Sequence, residues 1–125
     1  MQDLEKEVMA VLNQIQDRVS DALDTSAEKV GKEAAEKLKQ TSPKNSKSPR
    51  GGRYAKGWAV KHSKKGETVV YNKTDYQLTH LLEKGHDIVR SGRKVGHAKA
   101  IPHIKPVEEW VQTEFPEELA RQVKI

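Results

Sequence analysis

The sequence predicts an α+β fold: a long N-terminal helix, a small antiparallel sheet built from a hairpin plus a third strand, a short middle helix and a C-terminal helix. Three patterns carry that expectation. Apolar residues return every three or four positions from Leu4 to Leu38, the period of a helix face. A β-prone stretch with alternating faces runs from Lys56 to Asn72. A second helical pattern begins at Pro106, a residue suited to a first helical turn. The length, 125 residues, suits a single domain over 1–125.

The first element takes residues 1–40. Leu4, Val8, Val11, Leu12, Ile15 and Val19 lead a stripe that continues to Leu38, and the other positions are nearly all polar or charged. Asp24-Thr25-Ser26 could cap a second helix, and Gly31 weakens the pattern slightly. The unbroken spacing favours one helix of roughly 55 Å, with Asp24 the place where it would bend. Residues 41–53 hold Pro, Gly, Ser and cations but no acid, and are expected to form a mobile basic loop.

Residues 54–125 make up the α+β body. Trp58, Val60 and His62 share one strand face, Lys64-Lys65-Gly66 makes a turn, and Thr68 to Asn72 return. Asp75 is the expected N-cap of a helix over 76–84, on which Leu78, Leu81 and Leu82 share a face. Gly85 stands where a left-handed C-cap is wanted. Residues 86–101 read as a loop or a twisted hairpin turning at Ser91-Gly92-Arg93-Lys94, with Ala100 and Ile101 supplying the third strand. Val107, Trp110, Val111 and Phe115 give the last helix its apolar face, and Pro116 is expected to break or kink it.

Composition narrows the function. Only 34% of residues are apolar and 33% are charged, so the core is thin, and part of the chain is either an exposed helix or a face buried only in an oligomer. No cysteine is present, which excludes disulfides, thiol nucleophiles and Cys-ligated metals. No window approaches 18 apolar residues, and the charged start lacks the apolar core of a signal peptide. The expectation is a soluble protein of the cytoplasm or of a particle assembled there, with no membrane partner. Charge is segregated: residues 1–40 hold 6 basic and 9 acidic side chains, 41–105 hold 15 and 4, and 106–125 hold 2 and 5. A +11 middle therefore lies between two ends of −3. That middle suits a solvated surface, nucleic acid, or a neighbour's acidic ends.

Candidate chemistry is sparse. His80, His86, His97 and His103 cluster in sequence without the i, i+4 spacing of a helical zinc motif, so no metal ligand is assigned. Glu83 and Asp87 could pair with His80 or His86 as acid and base, but no nucleophile elbow or phosphate loop accompanies them. No catalytic residue and no cofactor is assigned, and Glu83 is expected to meet a cation or cap local backbone. The candidate partner or DNA contacts are Lys44, Lys47, Arg50, Arg53, Arg90, Arg93, Lys94 and Lys99. With no groove-reading motif among them, any DNA contact would be non-specific.

Several blocks, in order, carry a resemblance: Ser42-Pro43, Gly52, Tyr54-Ala55-Lys56-Gly57-Trp58, Val70-Tyr71-Asn72-Lys73, Tyr76 through Leu82-Glu83-Lys84-Gly85-His86, and Pro102-His103-Ile104-Lys105-Pro106. Together with the long helix before them, they resemble the minor structural proteins of tailed phages named after the gp-ten protein of an HK-type lambdoid phage. The resemblance implies a non-catalytic virion protein of a phage or prophage, acting in head–tail joining, at the neck or in tail completion. Its partners would be copies of itself in a ring and other neck and tail proteins, assembled in the bacterial cytoplasm. The basic loops would face either a neighbouring subunit or DNA in the lumen. The structural signature is Trp58, Tyr71, Asn72, Tyr76, Leu82, Glu83, Gly85, Pro102, Pro106 and Trp110. Within that reading Trp58, Tyr71, Tyr76, Leu78, Leu81, Leu82, Trp110 and Phe115 form the core. The chain departs from the family pattern at Gly52-Arg53 and at His103, where an aromatic is common.

Overall fold

A computed structural model describes residues 2–44, 52–63 and 67–123. The chain runs α1 (Gln2–Thr41), α2 (Arg53–Lys56), β1 (Trp58–His62), β2 (Thr68–Asn72), α3 (Leu78–Lys84), β3 (His86–Arg90), β4 (Arg93–Ala98) and α4 (Ile104–Val123). The α+β class, the long first helix, the short middle helix and the C-terminal helix are all present. The sheet is not one three-stranded unit. β1–β2 and β3–β4 form separate antiparallel pairs, and Ala100–Ile101 is not a strand. The Ile101 N–H instead donates to the Leu82 carbonyl at 2.7 Å, which ties the chain leaving β4 to the end of α3. The β3–β4 turn is Ser91-Gly92, with φ of 52° and 75°, the mirror-image conformation that suits a two-residue hairpin.

α1 is continuous for 40 residues, about 60 Å, with no break at Asp24. The Asp24 carboxylate instead lies 3.0 Å from His62 Nε2 on β1. Only the C-terminal half of α1 is buried, through Ala22, Ser26, Val30, Ala34, Ala35 and Leu38. It packs on α4, β1, β2 and α2. Gly31 lets the helix lie close against the hairpin, since a Cβ there would run into the Thr68 methyl.

The core joins Ala34, Ala35, Leu38, Tyr54, Trp58 and Val107, with Val60, Val70, Leu82, Ile104, Trp110 and Val111 packed around it. Trp58, Leu82 and Trp110 are where the sequence reading puts them. Tyr71, Tyr76, Leu78 and Leu81 are not, and all four are exposed. The reason for Tyr71 is register. Trp58 pairs with Asn72, so Asn72 shares the inward face with Trp58, and Tyr71, one residue earlier, points out. α3 is only 7 residues long and turns Leu82 inward, leaving Leu78 and Leu81 on its outer side.

Asp75 does not cap α3, whose N-cap position is Gln77 with no side-chain bond to the helix, and Asn72 organises the loop before it. The Asn72 Oδ1 accepts the N–H of Thr74 (3.2 Å) and of Asp75 (2.8 Å), while its Nδ2 donates to the Tyr54 carbonyl (2.7 Å). Asp75 instead pairs with Arg53 Nε at 3.3 Å. Gly85 has φ 75° and ψ 171°, which is not the left-handed helical cap but a region essentially restricted to glycine. α4 runs through Pro116 without a break. Pro106 lies in its first turn, where a missing N–H costs no helical bond. The expected turn at 64–66 lies outside the described residues.

Candidate interaction surface

A buried polar joint fixes how the body is assembled. Glu83, at the end of α3, accepts backbone N–H bonds from His103 (2.7 Å), Ile104 (2.8 Å) and Lys105 (3.0 Å). These are donors at the start of α4 that no intrahelical carbonyl can reach. Partial burial works to raise the Glu83 pKa, but the three backbone donors and the nearby His103 ring outweigh it and hold the carboxyl below its usual range. His103 Nδ1 lies 2.8 Å from the Ile101 carbonyl and 3.0 Å from Glu83 Oε1, both acceptors. A proton on Nδ1 serves them, and Nε2 then accepts the Tyr54 hydroxyl at 2.7 Å. Burial, with the Glu83 charge adding to it, pushes the Tyr54 phenol up against a lowering by Thr79.

The His103 ring stands edge-on to Tyr54 and Trp58, at centroid distances of 5.6 Å and 6.5 Å, so the imidazole does the packing work of an aromatic. Trp58 Nε1 completes the joint by donating to the buried Ser42 hydroxyl at 2.7 Å. Sequence reasoning expected Glu83 to meet a cation or to cap local backbone; it caps backbone, but that of a different helix. The same reasoning missed Tyr54, His103 and Ser42 as members of the joint. The one signal for them was their place in the ordered blocks. The hydrogen bonds of this tyrosine, histidine and glutamate join α2, α3 and α4.

A second anchor holds α4 to α1. Glu118 is buried and receives Lys29 Nζ (3.0 Å), Arg121 (2.6 Å) and Gln122 Nε2 (2.8 Å). The Gln122, Arg121 and Lys29 donors pull its pKa down to about 2. Lys37 of α1 lies 4.6 Å from the centre of the Trp110 ring, a cation–π contact across the same interface.

The basic residues singled out from sequence fall in different places. Lys44 is exposed. Lys47 and Arg50 lie outside the described residues. Arg53 bridges the Thr74 carbonyl (3.3 Å) and Asp75, so it braces the loop before α3. Arg90, Arg93, Lys94 and Lys99 gather on or beside the β3–β4 ribbon, all exposed. Asp87 on that ribbon contacts His97 (2.9 Å) and Lys94 (3.2 Å), which together lower its pKa. Among the described residues no group of three or more His, Asp or Glu is placed to hold a metal ion, and no helix is long and apolar enough to cross a membrane.

Besides the outer side of the first hairpin and α3, two more apolar surfaces are exposed among the described residues. The N-terminal half of α1 stands clear of the body with Leu4, Val8, Val11, Leu12 and Ile15 exposed. The β3–β4 ribbon exposes Ile88, Val89 and Val95 among its cations. One family model, described as "Bacteriophage HK97-gp10, putative tail-component", matches residues 6–85, from the first turns of α1 to the end of α3. No curated protein and no solved structure matches the chain.

Proposed function

Because the chain belongs to the HK97-gp10-like family of bacteriophage tail components, we propose that it is a non-catalytic structural protein of the virion. In this reading it acts at the head–tail junction, in the neck or in tail completion, and assembles with copies of itself into a ring. Its other partners are neighbouring neck and tail proteins, and it reaches the particle from the host cytoplasm. The observation that carries the reading is the projecting half of α1, whose apolar stripe the isolated chain leaves in water. An assembling protomer covers such a surface with a neighbour. Deleting the gene from its prophage is expected to leave filled heads and separate tails that a plasmid-borne copy rejoins. Normal yields of infectious particles from the deletion would contradict the reading.

The exposed cations of the β3–β4 ribbon favour one second reading, a small module that binds nucleic acid without sequence preference. It predicts duplex binding that weakens steeply with salt. Absence of binding at low salt removes it.

A further inference from the structure

The N-terminal half of α1 and the β3–β4 ribbon are opposite in charge and matched in length. Over residues 2–24, α1 carries six acidic and two basic side chains beside a stripe whose members are 46–63% exposed. From Leu4 to Ile15 that stripe is about 17 Å long. The β3–β4 strands, of 5 and 6 residues, extend for about 17–20 Å. They present Val89 and Val95, 60% and 58% exposed, beside Arg90, Arg93, Lys94 and Lys99. Arg90 and Arg93 sit directly opposite one another in the ladder, an unfavourable like-charge pair. Neither has an anionic partner among the described residues.

We propose that the acidic, apolar arm of α1 in one copy docks along the β3–β4 ribbon of the next copy. This rests on the assembly reading above and names the contact that builds it. Because α1 is one unbroken helix anchored to the body by its C-terminal half, its arm cannot fold back onto its own ribbon. Two arms packed together would set acid against acid, and two ribbons would set Arg90 and Arg93 against their copies. Arm on ribbon buries both apolar surfaces and places carboxylates beside the unpaired arginines. The contact joins two different patches, so it repeats from copy to copy and closes into a ring when the rotation allows.

The test uses two full-length variants at exposed positions. One is Val8→Glu with Val11→Glu on the arm, and the other is Val89→Glu with Val95→Glu on the ribbon; circular dichroism checks that each keeps its fold. In sedimentation velocity the wild-type chain is expected to associate with rising concentration and less so with rising salt. Each variant alone stays monomeric. An equimolar mixture forms a one-to-one dimer and stops, because only the ribbon variant's arm and the arm variant's ribbon remain intact. Arg90→Glu with Arg93→Glu repeats the ribbon arm of the test by charge alone, should the valine pair disturb folding. Association of either variant alone, or an inert mixture beside an associating wild type, overturns the arm–ribbon contact and leaves ring assembly standing. A wild-type chain that stays monomeric throughout overturns both, and the role in the virion is then judged by the gene deletion alone.

Discussion

The Glu83 carboxylate holds the backbone N–H of His103 at 2.7 Å across 20 positions of sequence. It thereby caps α4 from the end of α3, and the same carboxylate takes the next two N–H groups as well. Losing a side-chain cap costs a protein about 0.5–2 kcal/mol. Glu83→Ala is expected at the upper end of that range, because three donors lose their acceptor together. Glu83→Gln keeps one acceptor oxygen and recovers part of the loss. Urea unfolding of the three proteins measures this, and equal midpoints for wild type and Glu83→Ala would mean that the cap adds nothing.

Gly31 makes a sharper case because propensity and packing point in opposite directions. In an exposed helix Gly→Ala stabilises by about 1 kcal/mol. Here the new methyl would collide with the Thr68 Cγ2, and Thr68 cannot turn aside without losing its 2.7 Å bond to His62. Gly31→Ala is therefore expected to destabilise. Thr68→Ser, which deletes that methyl and keeps the hydroxyl, is expected to rescue it. A double-mutant cycle that shows no coupling would rule out the close approach.

Gly85 fails for a backbone reason. A Cβ there would sit 2.6 Å from the Ala98 carbonyl and 2.9 Å from the Ala100 nitrogen, at a positive φ. Neither neighbour is a flexible side chain, so Gly85→Ala is expected to cost more than the roughly 1 kcal/mol of an unobstructed positive-φ glycine. Thermal unfolding reads the result directly.

Trp58 and Tyr71 separate the two faces of the first hairpin. Trp58 is buried in the core and bonded to Ser42, and Trp58→Ala is expected to cost about 3–5 kcal/mol. Tyr71 points outward from β2, and Tyr71→Ala should stay near the roughly 0.5 kcal/mol typical of surface positions. Comparable losses at both sites would mean a hairpin shifted by one residue.

Acid should loosen α1 from α4. Glu118 has an ordinary pKa of 4.5 in the unfolded chain and about 2 in the fold. A depressed carboxyl contributes stability that is fully present above the higher value and is lost as pH falls through the lower one. Between pH 4.5 and about 2 the wild-type midpoint in urea is expected to fall. Glu118→Gln, which has no carboxylate to protonate, should be less stable at neutral pH and show a flatter profile in that window. Parallel profiles for the two proteins would remove Glu118 as the source.

The order and type of the long elements were legible because they depend on periodicity. The 3.6-residue recurrence from Leu4 to Leu38 and the apolar face from Val107 onward need no tertiary information. The inward face of β1 was legible from Trp58 and Val60, but that of β2 was not. Tyr71 looks like core by composition, but a register pairing Asn72 with Trp58 turns it outward, and register depends on where α2 and the loop before α3 hold the hairpin. The polar joint was hidden for the same reason: Ser42, Tyr54, Glu83 and His103 are far apart in sequence and meet only once α4 packs on α1. The segregated charge was visible from the start. Its placement on a projecting helix and on a separate ribbon required the structure.

A place at the head–tail junction can be seen in the particle itself, by immunogold electron microscopy of purified virions. With an epitope tag on the C-terminus of the chain, in a phage that remains infectious, gold is expected at the junction of head and tail. Gold spread along the tail tube or over the capsid, or particles that carry no label although the tagged chain is made, would contradict it.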